Sequence, residues 1–156
     1  MKERHKVVPA SYLFLRRGDA ILLMLRKNTG YYDGWYTVPS GHVEKGELPS
    51  EGMIREAKEE IGLDLDPSSL RMSHVMYRAS HDETGERADY FFDCSAWQGE
   101  PQNVEPEKCA ELAWFSIDAL PENLMHHVKD ALASITAGVF YSEIDKAHVI
   151  QDPSRS

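Results

Sequence analysis

Two hydrophobic rhythms alternate along the chain, and each change of rhythm marks an element. Residues 7–16 (VVPASYLFLR) and 20–26 (AILLMLR) are apolar runs of strand length, joined by a turn at Arg17-Gly18-Asp19. Residues 28–35 (NTGYYDGW) form a Gly- and Asn-rich loop containing aromatic side chains, and residues 37–43 predict a short strand. The period then changes. Met53, Ile54, Ala57 and Ile61 recur at helical spacing and form one apolar stripe. Residues 65–69 connect to two more strands, 71–78 and 88–97, the second carrying β-favouring Tyr90, Phe91 and Phe92. HDETGER between them is a polar turn with Gly85 at its tip. A loop over 99–110 leads to a short strand at 113–117. A helix over 122–137 then follows, with Leu124, Val128, Leu132 and Ile135 as its core stripe. The last residues, QDPSRS, are expected to fray.

Strands on either side of one helix, with a second helix near the end, predict an α+β protein of α/β/α sandwich type, its sheet lying between helices. At 156 residues the chain suits a single domain spanning 1–156. Its 42% hydrophobic and 10% aromatic content is that of a folded globular protein.

The opposite flank of the first helix changes the picture. Glu56, Glu59 and Glu60 stand at i, i+3 and i+4, within an arc of roughly 100°. Such crowding is unfavourable unless a cation neutralises it, and a hard divalent ion prefers oxygen ligands. A Glu-rich helix is by itself an ordinary solvated surface, so the context decides. Gly41 is followed after five residues by Glu47, and after seven more by Arg55-Glu56, Ala57, Lys58, Glu59-Glu60, Ile61, Gly62 and Leu63. This spacing resembles the Nudix box, the signature of the Nudix hydrolases, at every fixed position; Ala57 is small for its aliphatic place. PSGHVEKGE (with Ser40 where Gly is common), GWYTVPSG before it and ELAWFSIDALP after it are also similar to the family.

Local chemistry accounts for several of these choices. Gly41 permits a tight turn and a close carbonyl, Pro49 suits a first helical position and Glu51 suits the helix dipole. Leu48 cannot cap, Gly52 leaves room beside the carboxylates, and Gly62 fits the left-handed residue that ends a helix. Arg55 and Glu47 could pair and pin the loop to the helix.

The resemblance implies the Nudix fold, a mixed sheet between helices, and hydrolysis of a diphosphate linked to another moiety. It implies a catalytic set of Glu56, Glu59, Glu60 and Arg55. It further implies Mg²⁺ or Mn²⁺ held by Glu56, Glu59, Glu60 and the Gly41 carbonyl, with Glu47 and Gly62 in support. Arg26 occupies a place where relatives put a phosphate-binding arginine. Glu105, Glu107 and Glu111 lie where several relatives place a further ligand, base or substrate contact; solvent-facing loop charges are an equal alternative. Trp35, Tyr31 and Tyr32 could stack on a base or simply pack. His42 lies within the box without needing to be a ligand, and the His126-His127 pair suits a helix surface.

Charge and composition narrow the partners. The net charge is −9 and no Lys/Arg cluster reads as a duplex-binding patch. An acidic chain that handles phosphates needs metal ions to make the approach favourable. No apolar run reaches the ~18 residues of a membrane span. Cys94 and Cys109 lack metal-type spacing. The expectation is a cytoplasmic enzyme acting on a small-molecule nucleotide, either a nucleoside triphosphate or another nucleoside diphosphate derivative. A homodimer is left open. Two other readings use the same features: a non-catalytic nucleotide-binding regulatory domain, disfavoured by the intact box, and an isoprenoid diphosphate isomerase, which needs a positioned Cys and Glu.

Overall fold

The computed structural model describes residues 2–79 and 85–145. Strand β1 (Val8–Arg17) is its axis. It turns through Gly18, at φ +60°, into β2 (Ala20–Arg26), with Arg17 opposite Ala20. It also pairs antiparallel with β4 (Ser40–His42) and parallel with β6 (Arg87–Cys94), from Val8 opposite Arg87 to Leu15 opposite Cys94. β2 carries β3 (Tyr36–Thr37) and β7 (Cys109–Ser116). β5 (Arg71–Arg78) joins β6 antiparallel, and β8 (Tyr141–Ile144) adds to β5 in parallel. The mixed sheet runs β3-β2-β1-β6-β5-β8, with β4 on β1 and β7 on β2.

Alternation along β1 divides the core in two. Ala10, Tyr12 and Phe14 face one helix, α2 (His126–Thr136), together with Ile21, Leu23, Met76, Phe91, Val128 and Leu132. Leu13 and Leu15 face the other, α1 (Pro49–Ile61), with Leu22, Met24, Phe92, Met53 and Ile61. This is the sandwich expected from the two periods. Ala57 is fully buried in the α1 layer, so its small side chain suits close helix–sheet contact. Burying each large apolar side chain here contributes about 1.5–3 kcal/mol.

Several boundaries differ from expectation. The strand anticipated over 37–43 is two pieces, β3 on β2 and β4 on β1, separated by Val38 and Pro39. Proline has no N–H for a ladder, and the chain changes partners there. The second helix begins at His126, because the backbone of residues 123–125 is engaged with Tyr36: Tyr36 N–H donates to Asn123 O and Met125 N–H to Tyr36 O. β7 begins at Cys109, inside the anticipated loop, and the strand anticipated to reach Trp97 ends at Cys94. β8 was not anticipated. Gly85 has the left-handed backbone of a turn tip, at φ +80°, and Arg87 already opens β6; residues 81–84 of that turn and the QDPSRS terminus lie outside the described residues.

Candidate active site

β4 and α1 build the site from both sides. Because Ser11 pairs with Gly41, Gly41 sits over α1 while its neighbours Ser40 and His42 face the α2 layer. The Ser11 hydroxyl donates to Pro49 O at 2.7 Å, fastening the start of α1 to β1. Leu48 supplies no side-chain cap, as expected, but Glu51 accepts the Leu48 N–H at 2.8 Å. At the other end Gly62, at φ +70°, closes the helix with its N–H on Lys58 O.

Gly41 lies directly against Glu56: a Cβ there would collide with the Glu56 carboxyl group. Gly52 is different from the expectation. It is buried, and a Cβ there would meet Glu47 Oε1 at 3.2 Å and then Val43, so it makes room for the loop rather than for the acidic flank.

Arg55 organises the flank. Its Nε and Nη2 donate to the two Glu47 oxygens at 2.8 and 3.1 Å, a bidentate fork. Nη1 donates to Glu56 Oε1 at 2.8 Å and reaches Glu59 Oε2 at 3.5 Å, and Nη2 also donates to His42 O at 3.0 Å. The Arg55 hydrogen bonds, then the Glu44 N–H, hold the Glu47 carboxyl below its ordinary range. In this way Arg55 holds the Glu47 and Glu56 carboxylates in place.

Glu60 Oε1 accepts the Ser40 N–H at 2.8 Å. This backbone contact escaped sequence reasoning, although Pro39, which interrupts the strand just before it, is a visible signal. Burial pushes the Glu60 carboxyl up to about 8; the Ser40 bond opposes this, while the charges of Glu56 and Glu105 add to it. Burial likewise raises Glu56 against its Arg55 bond, with Glu59 and Glu105 contributing. Glu59 is the most open of the three, its side chain 55% exposed.

Glu105 is thus the loop carboxylate felt by both half-buried acids. The loop is tied to the end of α1, Gln102 N–H donating to Ile61 O and Val104 N–H to Glu60 O. Glu107 is exposed, its carbonyl accepting from Asn28 Nδ2. Glu111 is exposed on β7 with its carboxylate beside the Tyr36 hydroxyl, where burial and then that charge raise the phenol. Arg26 is committed to its own loop: Nε donates to Tyr31 O at 2.6 Å and Nη2 to Thr29 Oγ1 at 3.0 Å, with the guanidinium over the Tyr31 ring. Its charge still lowers the Glu60 carboxyl. Tyr32 is core, 3% exposed, and offers no face to a base. Trp35 is half-buried 5.1 Å from the His126 ring. His127, expected on the surface, is buried in the α2 layer against Tyr12.

Among the described residues, no three acidic, His or Cys side chains converge into a ready cation cage, because Glu56 turns to Arg55 and Glu60 to Ser40. The donor chemistry nonetheless fits a hard divalent ion. The donors are oxygens on one helical flank, two of them raised by burial with neighbouring carboxylates adding to it, and a glycine leaves space beside Glu56.

Residues 5–135 match the sequence model of the NUDIX domain. The chain belongs to the Nudix family. A Nudix structure, the MutT NUDIX hydrolase from Burkholderia pseudomallei, superposes with a TM-score of 0.75 at 27% identity, over 83% of this chain and 98% of that one. Among curated Nudix relatives, the ADP-ribose pyrophosphatase of Methanocaldococcus jannaschii is 31% identical over 74% of this chain and 65% of its own length. The NAD-capped RNA hydrolase NudC of Stutzerimonas stutzeri is 29% identical over 74% of this chain and 39% of its own. This Nudix chain therefore spans less than two thirds of either relative. No helix among its described residues is long and apolar enough to cross a membrane.

Proposed function

We propose that this protein is a Mg²⁺- or Mn²⁺-dependent pyrophosphohydrolase that cleaves the diphosphate linkage of a nucleoside triphosphate or another nucleoside diphosphate derivative. The observation that carries the reading is the Gly41–Glu56 approach, locked by the Arg55 fork to Glu47 and the His42 carbonyl. That packing gives a purpose to Gly41, Glu47, Arg55 and Glu56 of the box. The ADP-ribose pyrophosphatase and NAD-capped RNA hydrolase among the relatives, by their names, also act on nucleoside diphosphate derivatives.

Glu56, Glu59 and Glu60, with the Gly41 carbonyl, would hold the ion. Bound there, it would screen phosphate oxygens and lower the pKa of a coordinated water. The chain's own residues set the geometry: Arg55 orients Glu56, Ser40 N–H orients Glu60, and Glu105 adds a carboxylate from the loop side. The deciding experiment is a panel of nucleoside triphosphates, nucleotide sugars, ADP-ribose, dinucleotides and NAD-capped RNA, followed by phosphate or nucleotide release with Mg²⁺ and with chelator. Metal-dependent turnover of at least one is expected. Nucleotide binding without turnover of any would assign the chain to the regulatory class instead, and turnover that persists in chelator would refute the metal mechanism.

A further inference from the structure

On the α2 side of β4, register brings a second set of charged groups together. The row His42–Ala10–Asp89–Met76 crosses β4, β1, β6 and β5, and the next row places Arg87 directly opposite Arg78. Like charges facing each other across an antiparallel pair are unfavourable, and one carboxylate answers them. Asp89, fully buried, accepts from Arg78 Nε at 2.6 Å. The neighbouring acid, Glu86, sits 3.4 Å from His5 instead. Arg78 also reaches the Tyr12 hydroxyl, at 3.4 Å. Arg87 Nη1 meets the exposed His42 ring nitrogen at 3.2 Å. In an acidic chain this leaves, among the described residues, a local excess of positive charge at an accessible rim.

The floor beneath is polar and incompletely bonded. Asp89 Oδ1 and His127 Nε2 are buried with no hydrogen-bond partner among the described residues. An unpaired buried polar atom costs about 1–3 kcal/mol; Asp89 Oδ1 can only accept, so what it calls for is a hydrogen-bond donor, and the positive groups above it are what suit an anion. His127 stands in the first turn of α2, and burial, then Arg78 and Arg87, hold it neutral. His42 is the hinge between the two sides: its carbonyl takes Arg55 and its ring meets Arg87. His42, the residue after Gly41 and about 3.8 Å from it between Cα atoms, thus forms the edge of this rim nearest the acidic flank.

We propose that Arg87, backed by the Arg78–Asp89 pair and steadied by His42, anchors a phosphate group of the substrate other than the one attacked. The inference rests on the proposed hydrolase reading for its substrate and predicts a preference for ligands that carry a further phosphate across β4. The test compares wild type with Arg87→Ala, Arg87→Lys and, as an exposed control on α2, Lys129→Ala. One arm measures kcat and KM on whichever panel nucleotide wild type hydrolyses with Mg²⁺. A second measures binding of ADP and of inorganic phosphate in chelator by calorimetry, with circular dichroism to check the fold.

Loss of one charge-assisted contact should raise KM and weaken metal-free ADP binding about tenfold or more in Arg87→Ala, with kcat within about threefold. Arg87→Lys should recover part of the loss and Lys129→Ala should match wild type. Equal KM and equal ADP affinity in Arg87→Ala would overturn the inference, as would a fall in kcat alone. Weakened phosphate binding with unchanged ADP binding would reassign the rim to free phosphate. If wild type hydrolyses nothing, the hydrolase reading fails and the ADP arm alone decides the anchor.

Discussion

A methyl group added at Gly41 would strike the Glu56 carboxyl, and Glu56 could relieve the clash only by leaving the place where Arg55 holds it. Gly41→Ala should therefore fold, because the obstructing atoms are the free end of a side chain, at a cost of roughly 1–3 kcal/mol. Its turnover should nevertheless fall at least about tenfold through misplacement of one carboxylate. Hydrolysis at the wild-type rate would show that the close approach has no role. Glu60→Gln separates the same two quantities more sharply. Burial already disfavours the Glu60 anion, so the neutral isostere should leave metal-free melting unchanged or higher while turnover drops by orders of magnitude. A variant that hydrolyses normally would remove Glu60 from the ligand set.

At the scale of elements, α1 is a helix with two jobs, and both were readable. Its apolar stripe predicted the buried face that Met53, Ala57 and Ile61 form, and its acidic stripe predicted a shared flank, because 3.6 residues per turn is a property of sequence alone. The break of the anticipated strand at Val38-Pro39 was not readable in detail, since which strand each half joins depends on tertiary pairing. β8 escaped because four residues with alternating exposure carry too little apolar signal. Arg55 ties α1 to the preceding segment through the Glu47 carboxylate and the His42 carbonyl. Its removal should cost about 2–3 kcal/mol, by leaving Glu47 and Glu56 less than fully paired, and lower the melting temperature by several degrees. Arg55→Lys, which keeps the charge without the fork, should fall between.

α2 carries a pH signature of its own. His127 is held below its ordinary pKa by burial and by nearby arginines, so the unfolded chain protonates it first. Its contribution is complete above pH ~6.5 and is lost as pH falls through that value, at up to about 1.4 kcal/mol per pH unit. His127→Phe should flatten the decline in stability between about pH 6.5 and 5, measured by denaturant titration with the metal chelated. An unchanged slope would mean that the imidazole is hydrated or already paired in the folded protein.

For the whole molecule, the two cores are joined through the shared sheet, since β1 faces α1 with Leu13 and Leu15 and α2 with Tyr12 and Phe14, and β2 divides Leu22 and Met24 from Ile21 and Leu23 in the same way. Anything that stabilises the acidic flank of α1 is consequently felt as global stability rather than as a local stiffening. A divalent ion that binds the folded flank alone adds about 2.7 kcal/mol at a hundredfold excess over its Kd, equivalent to roughly 5–10 °C of melting temperature at this chain length. Thermal melts with Mg²⁺ should rise by that order over melts in chelator, and the rise should be cut sharply in Glu60→Gln. Lys129→Ala, exposed on α2 and remote from the acidic flank, should keep it in full. An ion-induced shift of the same size in Glu60→Gln would place the cation elsewhere on this acidic surface, whatever the rate of hydrolysis.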